Sequence, residues 1–293
     1  MPTWQGKSKG SQTGYRIFVF VLKKLGLHSS YFLLRFVALY YFFFSYKSSK
    51  PLFQFFKYRL GFKLHKAITS LYHNYYQFGQ SLIDKVAAMA GIANQFTFHF
   101  DGEEHLFDII DQNRGGILLS AHLGNWEIAG HLLQRLNTTI NIVMFDGEHQ
   151  KIKDYLKDVV GERKVKVIVI KNDISHIYAI SEAFRNNELV CMHADRFLEG
   201  NKTFTHSFLG KDAQFPMGPF VLASKFKVPV SYVFAVKESS SHYHFFATKG
   251  NDYAHVPKAE VMNTMLGDYV NGLENKVHQY PLQWFNYYDF WKN

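Results

Sequence analysis

The chain has 293 residues, 47% hydrophobic and 19% charged, with a net charge of +9. That length allows one large α/β domain or two small ones, and the composition excludes disordered, collagen-like and disulfide-scaffold proteins. Cys191 is the single cysteine, so no intrachain disulfide exists and no Cys/His zinc spacing is present, which places the chain in a reducing compartment.

The charge is unevenly spread. Residues 1–83 hold twelve Lys or Arg, no Asp or Glu, and 22 aromatic residues; the first acid is Asp84. Removing those twelve from the 33 basic residues leaves 21 against all 24 acids, a balance of −3 over the rest of the chain. A basic, aromatic segment suits either nucleic acid or a membrane surface. The run Tyr31–Tyr46 favours the membrane, because it is filled with Leu, Phe and Val and carries only Arg35 as a charge. Phe32, Leu33, Phe36, Phe42, Phe43 and Phe44 are its expected membrane-associating residues, and no nucleic-acid partner is expected. At 16 residues the run is shorter than the roughly 20 that a span needs, so it predicts an interfacial or partly inserted helix. Core helices with a solvated basic face have the same composition. The polar start and the lysines flanking the run do not fit a signal peptide.

In chain order, the N-terminal part reads as helices over 15–25, 29–46, 51–64 and 66–91, with Pro51 as a first-turn residue. Residues 1–91 form the helical membrane-associating region and 92–293 the α/β domain. In the second part, strands are predicted at Phe96–Phe100, Gly116–Ala121, Thr139–Phe145, Val165–Ile170 and Glu188–His193, with a further pair at Val228–Val236 and His242–Thr248. Helices are predicted at His105–Asn113, Trp126–Leu136, between residues 145 and 165, and at Ser175–Asn186, Gly218–Phe226 and Ala259–Val277. This alternation predicts a mixed, mostly parallel sheet sandwiched by helices. No Gly-rich phosphate loop or dinucleotide fingerprint is present.

The informative stretch is Leu118–Gly130, LLSAHLGNWEIAG. His122 stands at the carboxyl end of a buried strand, where open α/β sheets place their sites. Gly124 and Asn125 turn the chain, and Asn125 is a good N-cap for the helix that follows. On one continuous helix His122 and Glu127 would point about 140° apart; with a turn between them, a strand-end His can meet a Glu in the first helical turn. A His oriented by a carboxylate beside a helix amino end has the parts of a general base for acyl transfer. The same residues also suit a structural histidine and a dipole-complementing glutamate. A metal set of His122, Glu127 and His131 lacks the helical H-E-x-x-H spacing, and no metal is expected. Cys191 reads as a strand core residue rather than a nucleophile.

HLGNWE resembles the H-x4-D/E block of lysophospholipid-type acyltransferases, most closely the late acyltransferases (lauroyl and myristoyl transferases) of bacterial lipid A biosynthesis. Three further blocks are similar to that family: Gly102-Glu103-Glu104-His105-Leu106; then Phe208-Leu209-Gly210 with Pro216-Met217-Gly218-Pro219 and Leu222-Ala223; and Pro281-x-Gln283-Trp284. Together they run in order from residue 102 to 284.

The resemblance implies transfer of a fatty acyl chain from an acyl-carrier-protein thioester to a hydroxyl of a membrane lipid, without a cofactor. His122 would be the base, Glu127 its partner, and the active site would face the cytoplasm from the inner membrane. Asp195 matches the acid of the family's Asp-Gln pair, with Arg196 in place of the Gln and able to read a phosphate or carboxylate. Gly124, Asn125, Asp195, Arg196, Gly218 and Pro219 are its candidate substrate-binding residues. The chain departs from the family pattern at Asp146-Gly147-Glu148-His149, where a basic stretch is usual. It departs again at Asn286–Trp291, where a His-Arg-Arg ending is usual. Those departures leave acyl transfer intact and open the acceptor to lipids other than lipid A, such as an aminolipid. A non-catalytic lipid-binding protein with the same fold is the separate alternative.

Overall fold

The computed structural model describes residues 12–89, 96–126, 128, 135–145, 165–171 and 173–291. α1 (Gln12–Phe44) bends at Gly26, whose φ of 81° favours glycine. The two helices expected at 15–25 and 29–46 are thus the two arms of one bent element. α2 (Tyr46–Gln54) begins before Pro51, which lies inside it rather than in a first turn. Proline there lacks the N–H that would bond Lys47, and the chain then widens into a π turn at Phe55–Arg59. α3 (Leu64–Met89) follows.

α1 has two distinct faces. Leu27, Tyr31, Leu34 and Ala38 are buried, at the helical spacing of a core-facing stripe. Phe20, Leu25, Phe32, Phe36, Leu39, Tyr40, Phe43 and Phe44 are exposed. Of the residues expected to face lipid, Phe32, Phe36, Phe43 and Phe44 do lie outside, whereas Leu33 is half-buried and Phe42 packs against the core. The reason is the helical period: Phe42 falls four residues after Ala38, on the inward side. The segment Arg16–Phe44 is long and apolar enough to cross a membrane.

The second part is built on a seven-stranded sheet. Its elements are β1 (Thr97–Asp101), α4 (Glu103–Asp111), β2 (Gly116–Ser120), β3 (Ile140–Phe145), β4 (Val165–Ile170), α5 (Ser175–Arg185), β5 (Leu189–His193), β6 (Thr203–Phe208), β7 (Lys211–Pro216), α6 (Gly218–Phe226), β8 (Val230–Lys237), β9 (His242–Ala247) and α7 (Val261–Gln279). The strand order is β1-β9-β8-β2-β5-β3-β4. From β8 to β4 all neighbours are parallel; β9 runs antiparallel to β8, and β1 pairs parallel with β9 on the edge. β2 and β5 sit at the centre, and their near-continuous apolar sequences GILLS and LVCMH suit strands covered on both faces.

The antiparallel pair β6–β7 stands apart. No strands were expected there, because the turn is Leu209-Gly210, with φ of 51° and 73°, rather than the Asn-Gly that marks a hairpin in sequence. The central part of the helix expected at Trp126–Leu136, the helix expected between 145 and 165, and residues 146–149 lie outside the described residues.

Aromatic residues join the N-terminal helices to the body. Phe55 packs on Trp284 at 5.0 Å and stacks on Trp291 at 6.3 Å, and Tyr75 stacks on Tyr287 at 5.5 Å. Asn74 in α3 donates to the carbonyls of Leu282 and Trp284.

A buried ion pair makes the same junction polar. Asp84 of α3, fully buried, accepts from Lys237 at the end of β8, from Tyr31 of α1 and from Tyr243 of β9. Burial pushes the Asp84 carboxyl up and the Lys237 ammonium down, and each charge opposes the other's shift. Replacing one member alone leaves the other charge buried and uncompensated. Asp84→Leu is expected to cost about 3–5 kcal/mol in urea unfolding. Adding Lys237→Met should recover part of that loss, and simple additivity of the two changes would show that the pair is not coupled.

Candidate active site

The parallel register of β2 and β5 builds the site. Ser120 is paired with His193, so two residues further on His122 and Asp195 leave the sheet side by side. One Asp195 oxygen accepts from the backbone N–H of His122 at 2.9 Å, and the other lies 2.8 Å from His122 Nδ1. The Asp195 side chain is 1% exposed and that of His122 20%. A carboxylate that grips both the main chain and the ring fixes the imidazole's direction. With Nδ1–H donated to Asp195, Nε2 is the ring's basic nitrogen.

Burial alone would raise the Asp195 carboxyl. The charge and hydrogen bond of His122, with Arg196 beside them, outweigh burial and hold it well below the usual carboxylate range. Asp195 is therefore a fixed anion next to the ring. The strand carbonyls around it are also occupied, since Ser120 O accepts from the N–H of Ala194 and from the Tyr269 hydroxyl.

His193 packs its ring 4.4 Å from that of His122 and 5.3 Å from Trp126. Burial, aided by His122 and Arg196, pushes it down to about 3 against the opposing pull of Asp195, so it is neutral near pH 7. His122, His193 and Asp195 each bring a ligand-type atom within 4.8 Å of the others. Both Asp195 oxygens already accept from His122, however, and a protonated Nδ1 does not ligate a metal. The arrangement fits a hydrogen-bonded pair.

The turn after His122 is held from two sides. Gly124 has a φ of 77°, and a Cβ there would lie 1.9 Å from the carbonyl oxygen of Ala235, so only glycine fits. Gly124 N–H donates to Gln283 O, Asn125 N–H to Ala235 O, and Phe285 N–H to His122 O. The Gln283 amide in turn holds both backbone groups of Lys237. The Pro281–Trp284 block is thus a brace for the His122 turn. Asn125 is buried; its oxygen accepts from the N–H of Ile128, as an N-cap does, and its amide donates to Ser81 O and Tyr243 Oη.

Glu127 lies outside the described residues. Asp195, read in sequence as substrate-binding, is in contact with His122, and Gly124 and Asn125 shape the turn. Arg196 donates to Phe285 O and faces the Tyr288 ring at 5.9 Å. Gly218 and Pro219 open α6, directly after β7 of the hairpin. Cys191 is in β5, where burial pushes its thiol up to about 12, so it is a poor nucleophile.

The chain belongs to the bacterial lipid A biosynthesis acyltransferase family, which it matches over residues 15–293. Two curated relatives are the phosphatidylinositol mannoside acyltransferases of Mycobacterium tuberculosis strains ATCC 25618 / H37Rv and CDC 1551 / Oshkosh. They are 28% and 27% identical to it over 137 residues, which is 45% of this chain and 42% of each relative. The match therefore spans less than half the length of those relatives.

The buried, neutral His193 has a pH consequence. Its folded pKa lies below the ordinary value of about 6.5, so the unfolded chain binds the extra proton first as pH falls. Its contribution to stability is complete above about pH 6.5 and is lost progressively towards pH 3, at up to about 1.4 kcal/mol per pH unit. His193→Gln is expected to flatten the fall in unfolding free energy between pH 7 and 5. An unchanged slope would show that His193 does not stay neutral in the folded protein.

Proposed function

We propose that this protein moves a fatty acyl chain from an acyl-carrier-protein thioester to a hydroxyl of a membrane lipid, with His122 as general base and no cofactor. The observation that carries this reading is the His122 ring clamped by buried, ionised Asp195 at the mouth of two central parallel strands. His122 Nε2 takes the proton as the acceptor oxygen attacks the thioester carbon. The tetrahedral intermediate then collapses, the C–S bond breaks, and the imidazolium returns the proton to the departing thiolate. Asp195 keeps the tautomer and stabilises the imidazolium. Glu127 is a second carboxylate for the same step, on the strength of its place in HLGNWE.

The N–H groups of His122, Gly124 and Asn125 are all bonded within the protein, so the oxyanion donors in this mechanism are other groups. A thiolate is a good leaving group, so positioning, deprotonation and oxyanion stabilisation are sufficient chemistry.

The acceptor is a hydroxylated envelope lipid. The ending Asn286–Trp291 carries no basic residue and is folded into the aromatic core, which supports an acceptor other than a lipid A phosphate. An aminolipid, or a glycolipid of the kind named for the mycobacterial relatives, fits that ending. The exposed stripe of α1, in a segment with no acid before Asp84, supports docking on the cytoplasmic face of the inner membrane.

Two experiments test the reading. Purified protein supplied with radiolabelled palmitoyl-acyl carrier protein and a total membrane lipid extract should form a labelled lipid. His122→Ala should reduce this to background, and Asp195→Asn should lower kcat by about 10³–10⁴ with little change in KM. Normal turnover in folded His122→Ala would overturn the mechanism. Wild-type protein that binds lipid but forms no labelled product would favour a non-catalytic lipid-binding role. Separately, changing Phe32, Phe36 and Phe43 together to Ser should weaken co-sedimentation with phosphatidylglycerol vesicles by at least about tenfold, since each buried phenyl contributes roughly 1.5–3 kcal/mol. Unchanged sedimentation would place the membrane contact elsewhere.

A further inference from the structure

At the sheet edge away from His122, parallel pairing sets His99 of β1 opposite His244 of β9, with Asp101 two residues further along β1. Alternation along the strands puts all three side chains on one face. His99 Nε2 lies 3.2 Å from one Asp101 oxygen, and His244 Nε2 lies 3.0 Å from the other. One ligand-type atom from each residue falls within 4.8 Å of the other two.

We propose that His99, Asp101 and His244 form a binding site for a divalent transition metal of the zinc class, completed by water. Metal–ligand bonds of about 2.0–2.1 Å in a tetrahedron set the ligand atoms roughly 3.4 Å apart. Each imidazole nitrogen lies near that distance from one of the two Asp101 oxygens, and a rotation of the carboxylate would offer a single oxygen to an ion held by both rings.

The second shell decides which nitrogen faces the site. His244 Nδ1 is 3.0 Å from Glu238 Oε1, which also accepts from the Tyr280 hydroxyl at 2.7 Å. A carboxylate holding the far ring nitrogen is the usual device for orienting a metal-binding histidine. With the proton on Nδ1, the Nε2 lone pair of His244 faces an anionic oxygen. That Nε2 is buried and has no hydrogen-bond partner among the described residues. A lone pair and a carboxylate oxygen at 3.0 Å repel unless a cation lies between them. A metal ion supplies that cation, and a second proton on His244 is the competing occupant.

The charge balance suits a dication. Asp101 and Glu238 bring two carboxylates, and the Lys276 ammonium, which rests on the Phe246 ring at 3.0 Å, offsets only one of them. His99 and Asp101 are more than half exposed, leaving the outer position open to water. The metal would clasp the edge strand β1 onto β9.

The test uses tag-free full-length protein stripped of metal, titrated with Zn²⁺ at pH 7.5 by calorimetry and with Co²⁺ by visible absorption. Wild type should bind one Zn²⁺ at this site, show the intense d–d bands of tetrahedral Co²⁺, and gain thermal stability on adding Zn²⁺. His99→Ala and Asp101→Asn, both at exposed positions that leave folding intact, should each weaken binding by more than tenfold and abolish the thermal gain. Glu238→Gln should weaken it about 10–100-fold. His122→Ala should leave this binding unchanged, separating it from the catalytic cluster. Three results would each overturn the proposal: no stoichiometric binding in wild type, binding that survives both His99→Ala and Asp101→Asn, or binding lost only in His122→Ala.

Discussion

One buried carboxylate ties the molecule together. Asp84 is the first acid in the chain, and it is spent wholly inside, on Lys237, Tyr31 and Tyr243. Those partners come from α1, β8 and β9, so a single side chain joins the bent N-terminal helix to two strands of the sheet. An ion pair in that position is costly to bury. The two tyrosine hydroxyls share the carboxylate oxygens with the ammonium, which makes the arrangement tolerable. Tyr243 then passes the constraint on to Asn125, inside the turn that follows His122.

The site itself follows from strand register. Because β5 lies beside β2 with Ser120 opposite His193, the chain needs only two more residues on each strand to bring His122 and Asp195 together. Parallel strands end on the same side of a sheet, which is why such sheets carry their chemistry there. The turn is then closed by a segment far away in sequence, since Gln283, Trp284 and Phe285 hold it by main-chain pairing. The Gln283 side chain adds to that closure by holding both backbone groups of Lys237.

Much of this was legible in sequence, and the gaps have physical causes. Val165–Ile170 and Gly218–Phe226 were readable to the residue because short apolar runs there end in clear turn chemistry. His122 was readable from its place after GILLSA. The Asp195 contact was not, because periodicity marks strands but does not say that the third strand of the parallel series is displaced by the fifth. The β6–β7 hairpin was hidden by its Leu209-Gly210 turn. Phe42 was misplaced outward because a composition run has no faces; only the helical period, anchored by Leu34 and Ala38, assigns them.

The two faces of α1 bear on how an acceptor reaches His122. Tyr31 is bound inside to Asp84, and its neighbour Phe32 points out into solvent at 59% exposure. Adjacent residues on one helix thus connect the His122 turn to the apolar stripe, through Asp84, Tyr243 and Asn125. A chain of buried hydrogen bonds of that kind has little slack. If the stripe seats in the headgroup region, the height of His122 above the membrane is set by the fold rather than by a flexible tether. On the proposed mechanism, an acceptor hydroxyl carried on a lipid in that same plane would meet His122 at a fixed depth, with positioning supplied by the membrane on one side and by Asp84 on the other.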